Sequence, residues 1–298
     1  MPIPFACPHC GLETFVDDEY AGESGPCAAC GKDVTVPWQA SDTSIAGAQL
    51  SVGYIILLAI GGLGAVAIVI SIAGMVFFPA IRAARTVAQG RSCEANLHKI
   101  WLAMQSYEEE HGTLPPAYIP DDKGKPMHSW RVLLLPFLDE EGLYSRYDFN
   151  EPWDGPNNIQ LQSYMPEVYG CPADVDARMV GETSYMLLVG EETFFPDADV
   201  TSVSDLRDDP ATTILVAEMP VAGVGWLEPR DLKAERMQFI VNGGFGLEVG
   251  SYHEDGAHVV MADGTVQFLS EGTPADYVEG MSTIDGDEPI PAESLDGY

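Results

Sequence analysis

The chain has 298 residues, enough for a sizeable core plus smaller modules, and 46% of them are hydrophobic. Its 14 Lys and Arg stand against 46 Asp and Glu, a net charge of −32. That balance argues against recognition of nucleic acid, whose phosphates call for a basic face, and against docking on anionic lipid through charge; it suits a solvated surface, or one that collects cations.

Residues 1–40 are punctuated by Cys and Gly. Cys7-Pro-His-Cys10 and Cys27-Ala-Ala-Cys30 give C-x2-C-x16-C-x2-C, the spacing of a zinc ribbon. Zinc takes four ligands in a tetrahedron, and two short knuckles supply two thiolates each. Gly11 and Gly31 follow the pairs and let backbone amides turn back toward the sulfurs. Forty residues build little core alone, so the metal supplies the missing stability. His9 lies inside the first knuckle as a bystander. Four thiolates leave no open coordination position, so chemistry is not expected there.

A linker over 41–51 leads into Val52–Phe78, within a charge-free stretch running from 43 to 81. As a helix this run would extend about 40 Å against about 30 Å of hydrocarbon, so it spans a bilayer with tilt. About 50 residues precede it, so a permanent single span is expected rather than a secretory signal. Gly61 and Ala65 offer a small-residue face, or are simply tolerated in lipid. Over 79–112 a stalk helix resumes, with Leu97, Ile100, Trp101, Met104 and Tyr107 on one face. Gly112 and Pro115-Pro116 stop it.

From 113 to 275 the period changes. SWRVLLLPFL, TSYMLLVG, TTILVAEM, MQFIVN, HVVMAD and TVQFLS are short runs bounded by Gly, Pro, Asp or Asn, the first also readable as a short helix. One long helix followed by short strands predicts an α+β fold with an antiparallel sheet. An acidic tail is expected over 276–298. Trp130, Trp153 and Trp226 read as packing residues. Asp121, Asp122, Asp148, Glu151 and Asp154 are loop acids at which calcium could sit, though without a D-x-D-x-D-G loop.

Cys93 and Cys171 lie outside the ribbon; they read either as a disulfide stapling stalk to sheet or as two buried thiols. The two compartment signals conflict. A thiolate–zinc site suits the cytoplasm and a disulfide the outside, which sets the N-terminus in and the C-terminal domain out. Positive-inside counting points the other way, with only Lys32 before the span but Arg82, Arg85, Arg91 and Lys99 after it.

His253 and Asp263-Gly264 are separated by nine residues. His253, His258 and Asp263 could make a metal site with an open position, as a cation sensor or a metal-dependent enzyme. The structural alternative is that Asp263-Gly264 is a hairpin turn between HVVMA and TVQFLS, with Asp255-Gly256 a second turn that His253 fixes.

Across roughly 79–270 several stretches together resemble the bacterial prepilin-like membrane proteins that end in an H-x9-DG signature. They are FPAIRAARTVAQGRSCEANLHKIWLAMQSYEEEHGTLPPAY, HSWRVLLLPFLDEEGLYSRYDFNEPWDGPNN, CPAD, TTILVAEM with Trp226 downstream, and the run from His253 to Gly264. The resemblance implies a pilin-like fold with a long N-terminal helix on an antiparallel sheet. It also implies a domain outside the cytoplasmic membrane, with Cys93 and Cys171 at the family's paired positions, and it favours the N-in, C-out arrangement. It supplies no chemistry for the H-x9-DG motif. Prepilins carry Gly-Phe-Thr-Leu-x-Glu at the head of the apolar helix; here AGAQLSVGYIILL stands in that place, preceded by the ribbon. The expectation is therefore a fixed, non-catalytic anchor, not processed as a pilin, with a structural or binding role at the envelope, envelope or cytoplasmic protein partners, and no nucleic acid.

Overall fold

The computed structural model describes residues 2–38, 52–219, 223–244 and 246–286, without the side chains of 52–69 and Val76. It divides into two compact units, Met1–Gly74 and Met75–Tyr298. The expected linker over 41–51 lies outside the described residues, as does the tail from 287 onward.

The first unit begins with two antiparallel hairpins. Strand β1 (Ile3–Ala6) pairs with β2 (Glu13–Val16), and β3 (Ser24–Pro26) with β4 (Asp33–Thr35). Each hairpin turns through a Cys-x-x-Cys-Gly segment. Both glycines take positive φ, +74° at Gly11 and +68° at Gly31, a conformation that costs a Cβ-bearing residue. The buried apolar residues described here are Ile3, Cys7, Cys27 and Val36. So small a core cannot offset the chain entropy of ordering the segment.

Helix α1 runs over Val52–His111 and continues through Pro79. Its character changes along its length. Ile70, Ile72, Met75, Phe77, Phe78 and Ile81 are exposed, whereas Cys93, Leu97, Ile100 and Met104 are fully buried. The buried positions recur at intervals of four, three and four, one stripe of an α-helix. Leu97, Ile100 and Met104 each contribute roughly 1.5–3 kcal/mol of burial free energy. Gly112, at φ +81°, donates its N–H to the Glu108 carbonyl (2.7 Å) and ends the helix where its glycine and the prolines beyond predict.

The sheet of the second unit has five strands in the order β11-β10-β8-β7-β9. They are preceded by a small ribbon of β5 (Tyr118–Pro120) and β6 (Pro126–Ser129). The sheet strands are β7 (Tyr185–Val189), β8 (Ile214–Glu218), β9 (Leu232–Lys233), β10 (Gly256–Met261) and β11 (Val266–Ser270). All neighbours are antiparallel except β7 and β9, which pair in parallel at one edge. Every residue of β7 and β8 is buried. Alternation along β7 explains this: Tyr185, Leu187 and Val189 join the cluster that holds the α1 stripe, while Met186 and Leu188 join a second cluster on the opposite face.

The α+β class and the mostly antiparallel sheet follow the expectation, with one open reading decided and two differences in detail. The run beginning at Trp130 is helical (α2, Trp130–Leu133, then a 3-10 turn over Leu135–Leu138), with Ser129 as its N-cap. MQFIVN forms a single bridge, Val241 to Val249, rather than a strand. The packed domain also continues past 275: Ala275–Gly280 is helical, and Val278 and Met281 are fully buried against the second cluster.

Candidate metal centres

Two groups of side chains among the described residues are close enough to hold a metal ion. In the first, Cys7, Cys10, Cys27 and Cys30 present four sulfurs mutually within 4.8 Å. The knuckles build it by repetition. Gly11 N–H returns to the Cys7 carbonyl and Gly31 N–H to the Cys27 carbonyl, each at 2.8 Å. Cys7 N–H reaches the Leu12 carbonyl (2.9 Å) and Cys27 N–H the Lys32 carbonyl (2.8 Å). The Cys7–Cys30 and Cys10–Cys27 sulfur pairs are each 3.8 Å apart. A tetrahedron with metal–sulfur bonds of about 2.3 Å has edges of about 3.8 Å, whereas a disulfide needs about 2.05 Å. Backbone N–H groups of Cys30 and Ala29 lower the Cys27 thiol to about 6, toward the thiolate that metals bind.

The second group consists of Cys93, Cys171, Glu218 and His253, all buried, with ligand atoms mutually within 4.8 Å. Of the two readings of Cys93 and Cys171, this structure has the pair as free thiols, with His253 against both. His253 Nε2 sits 3.1 Å from Cys93 Sγ and 3.3 Å from Cys171 Sγ, and 3.5 Å from Glu218 Oε1. Four separate segments deliver these atoms. Cys93 comes from the α1 stripe, and Glu218 ends β8. Cys171 and His253 lie in loops, the first tied by its N–H to Ser184 Oγ (3.0 Å) and the second by its N–H to Ser251 Oγ (2.9 Å).

His258 supports the cluster from outside. Its backbone N–H (2.7 Å) and Nδ1 (3.1 Å) both meet Glu218 Oε2. Its ring stands edge-on to His253 and to Phe268, at 5.0 Å in each case. The other carboxylate oxygen, Oε1, is buried without a hydrogen-bond partner. Burial alone would raise the Glu218 carboxyl, but contacts with His253 and His258 outweigh it and hold it at about 2. Burial likewise opposes the charged His253, yet Cys171 and Glu218 raise it to about 10. The Cys171 thiol falls to about 6 through its hydrogen bond to Cys93, while that same bond and burial push Cys93 up.

The His253, His258, Asp263 constellation does not assemble. Asp263 caps the hairpin between β10 and β11, where its Oδ1 accepts from Thr265 N–H (2.8 Å) and Thr265 Oγ1 (2.7 Å). The H-x9-DG motif instead grips α1 at two points. One end puts His253 against Cys93. The other seats Gly264, at φ +88°, against the Trp101 ring, where an added Cβ would come within 2.5 Å. There Trp101 Nε1 donates to the Ala262 carbonyl (3.1 Å), and His98 Nδ1 lies 3.3 Å from the Gly264 carbonyl. The turn reading of Asp263-Gly264 therefore describes one end of the motif, and the metal-ligand reading of His253 describes the other with different partners.

Sequence reasoning passed over Glu218. Its signal was an acid closing the apolar run TTILVAEM, since a carboxylate on a fully buried strand needs a partner. The loop acids serve turns: Asp121 accepts from the N–H groups of Lys123 and Lys125, Asp148 from Asn150, and Glu151 from Asn157 and Asn158. Trp130 and Trp226 are fully buried, as packing residues.

Residues 82–212 match the model of a bacterial family described as "Protein of unknown function (DUF1559)". The matched segment contains Cys93 and Cys171 and stops short of Glu218 and His253. No curated protein and no solved structure matches the chain.

Proposed function

We propose that the chain is a single-span, membrane-anchored, non-catalytic protein with a structural or binding role at the cell envelope. One observation carries this reading: α1 leaves an apolar run uncovered and then, further along, buries a stripe in the core of its own domain. Among the described residues it is the helix long and apolar enough to cross a bilayer, and none of that apolar window is buried. Water is a poor solvent for Ile70, Ile72, Met75, Phe77 and Phe78 arrayed on one helix, and hydrocarbon a good one. Arg82 lies over the Phe78 ring at 4.3 Å, where a cation at the edge of the apolar run would meet the headgroups.

In this reading the N-terminal unit is a zinc ribbon on the cytoplasmic side, supported by the repeated knuckles and their sulfur spacing. The C-terminal domain is a pilin-like head outside the cytoplasmic membrane, as the prepilin-like resemblance implies. It acts as a fixed anchor because residues 52–78 carry no acid to pair with a neighbouring subunit. Its partners are envelope proteins for the head and a cytoplasmic protein for the ribbon.

Protease treatment of cells with the outer layers opened tests the arrangement. A C-terminal tag is expected to be digested while an N-terminal tag survives until the cytoplasmic membrane is lysed. Protection of both tags, or recovery of the full chain in water without detergent, defeats the reading.

A further inference from the structure

We infer that Cys93, Cys171, His253 and Glu218 form a second metal site, separate from the N-terminal knuckles, that takes a zinc-class divalent cation. The inference is independent of the membrane reading, since all four residues belong to the second unit.

The donor set is the first argument. Two thiolates, one imidazole nitrogen and one carboxylate oxygen suit a borderline-soft ion that accepts tetrahedral geometry, and are wrong for calcium or magnesium, which take oxygen. Spacing is the second. Metal–ligand bonds of about 2.0–2.3 Å put tetrahedral ligands about 3.3–3.8 Å apart. The contacts around His253 Nε2, at 3.1, 3.3 and 3.5 Å, run from just below that range to within it, so modest outward movement admits the ion.

The third argument is the under-satisfied oxygen. Glu218 is 1% exposed, and its Oε1 makes no hydrogen bond, only the 3.5 Å ion-pair contact with His253 Nε2. A buried acceptor left so is costly unless something binds it, and a cation does. The fourth is the support behind it. His258 and its own N–H hold the remote oxygen Oε2, the outer contact that orients a metal-bound carboxylate. A Cys93–Cys171 disulfide would use neither Glu218 Oε1 nor His253 Nε2.

Four protein donors fill the tetrahedron. The site is therefore closed and structural. It fastens α1 at Cys93 to β8 at Glu218 and to the loops carrying Cys171 and His253, and it gives the histidine of the H-x9-DG motif a chemical role.

The test uses the full-length chain in detergent micelles, stripped of metal, reduced, reloaded with Zn2+ alone and desalted. Zinc is counted per chain, and the zinc-edge X-ray absorption spectrum gives the mean sulfur number. Two zinc ions per chain with a mean of three sulfurs per ion are expected, the average of a four-sulfur and a two-sulfur site. Cys7→Ser with Cys10→Ser should leave one ion with two sulfurs and two lighter donors. Glu218→Gln, which keeps the side-chain shape, should weaken one of the two ions more than tenfold in chelator competition and leave the other unchanged. A single ion with four sulfurs in the unaltered chain overturns the inference, whatever the variants do. So does a Cys93–Cys171 cross-link, found by non-reducing peptide mapping, in the chain as isolated.

Discussion

The two cysteine clusters of this molecule are assembled in opposite ways. The knuckles of the N-terminal unit collect identical donors from two copies of one short hairpin, each pair three residues apart. The cluster in the second unit collects unlike donors from a helix, a strand end and two loops, with His253 and Cys93 separated by 160 positions in the chain. The first has almost no core besides its sulfurs; the second sits inside a fully packed domain. Local geometry makes the one, and tertiary packing makes the other, so they should fail for different reasons.

The largest effect is expected where metal stands in for a core. With zinc held by the knuckles as proposed, Cys27→Ser, or chelation, should unfold residues 2–38, because structural zinc in small modules contributes about 10–16 kcal/mol of apparent binding energy. Loss of amide-exchange protection at Gly31 and Val36, with protection of β7 and β8 retained, is the expected record. If the hairpins persist without metal, the contrast between the units is wrong.

Leu97→Ala reverses the pattern. It removes a fully buried side chain from the α1 stripe, one turn from Cys93, and should cost about 2–5 kcal/mol of head-domain stability in denaturant unfolding. The knuckle sulfurs should react with thiol reagents as before, while Cys93 becomes reactive at lower denaturant. Gly264→Ala attacks the other grip on α1. A left-handed backbone and a Cβ placed within 2.5 Å of the Trp101 ring together should cost about 1–3 kcal/mol, read as a lower urea midpoint and a perturbed Trp101 fluorescence.

Acid separates the units most gently. His128 is buried, which lowers its imidazole below the ordinary 6.5; its Nδ1 lies 2.9 Å from the Tyr147 hydroxyl. The unfolded chain takes this proton first, so the stability from neutral His128 is complete above 6.5 and declines as pH falls through the lowered value. A urea midpoint for the head that falls on moving from neutral pH toward about 5, with the slope reduced in His128→Phe, is the expected result.

What could be read from the chain alone divides along the same line. The knuckles were legible because ligand spacing and the following glycines are local signals. So were the end of α1 at Gly112 and the Asp263-Gly264 turn. The partners of His253 were not. Cys93, Cys171 and Glu218 meet it only because the α1 stripe, the all-buried β8 and two loops converge, and no periodicity encodes that convergence. Asp263 looked like a ligand because it is near in sequence, whereas Glu218 looked like an ordinary strand end because it is far. The Trp130 run was ambiguous between strand and helix for a related reason: its apolar residues are buried on all sides, and the deciding signal was the Ser129 cap.

The burial of Cys93 and Cys171, at 0% and 2% exposure, has a practical side. A maleimide or iodoacetamide probe applied to the native chain will leave these two silent, whichever compartment the head occupies. Silence at the head would then be mistaken for shelter behind a bilayer. A reporter thiol placed at Met179, which is 80% exposed, would show the reagent a residue it can reach.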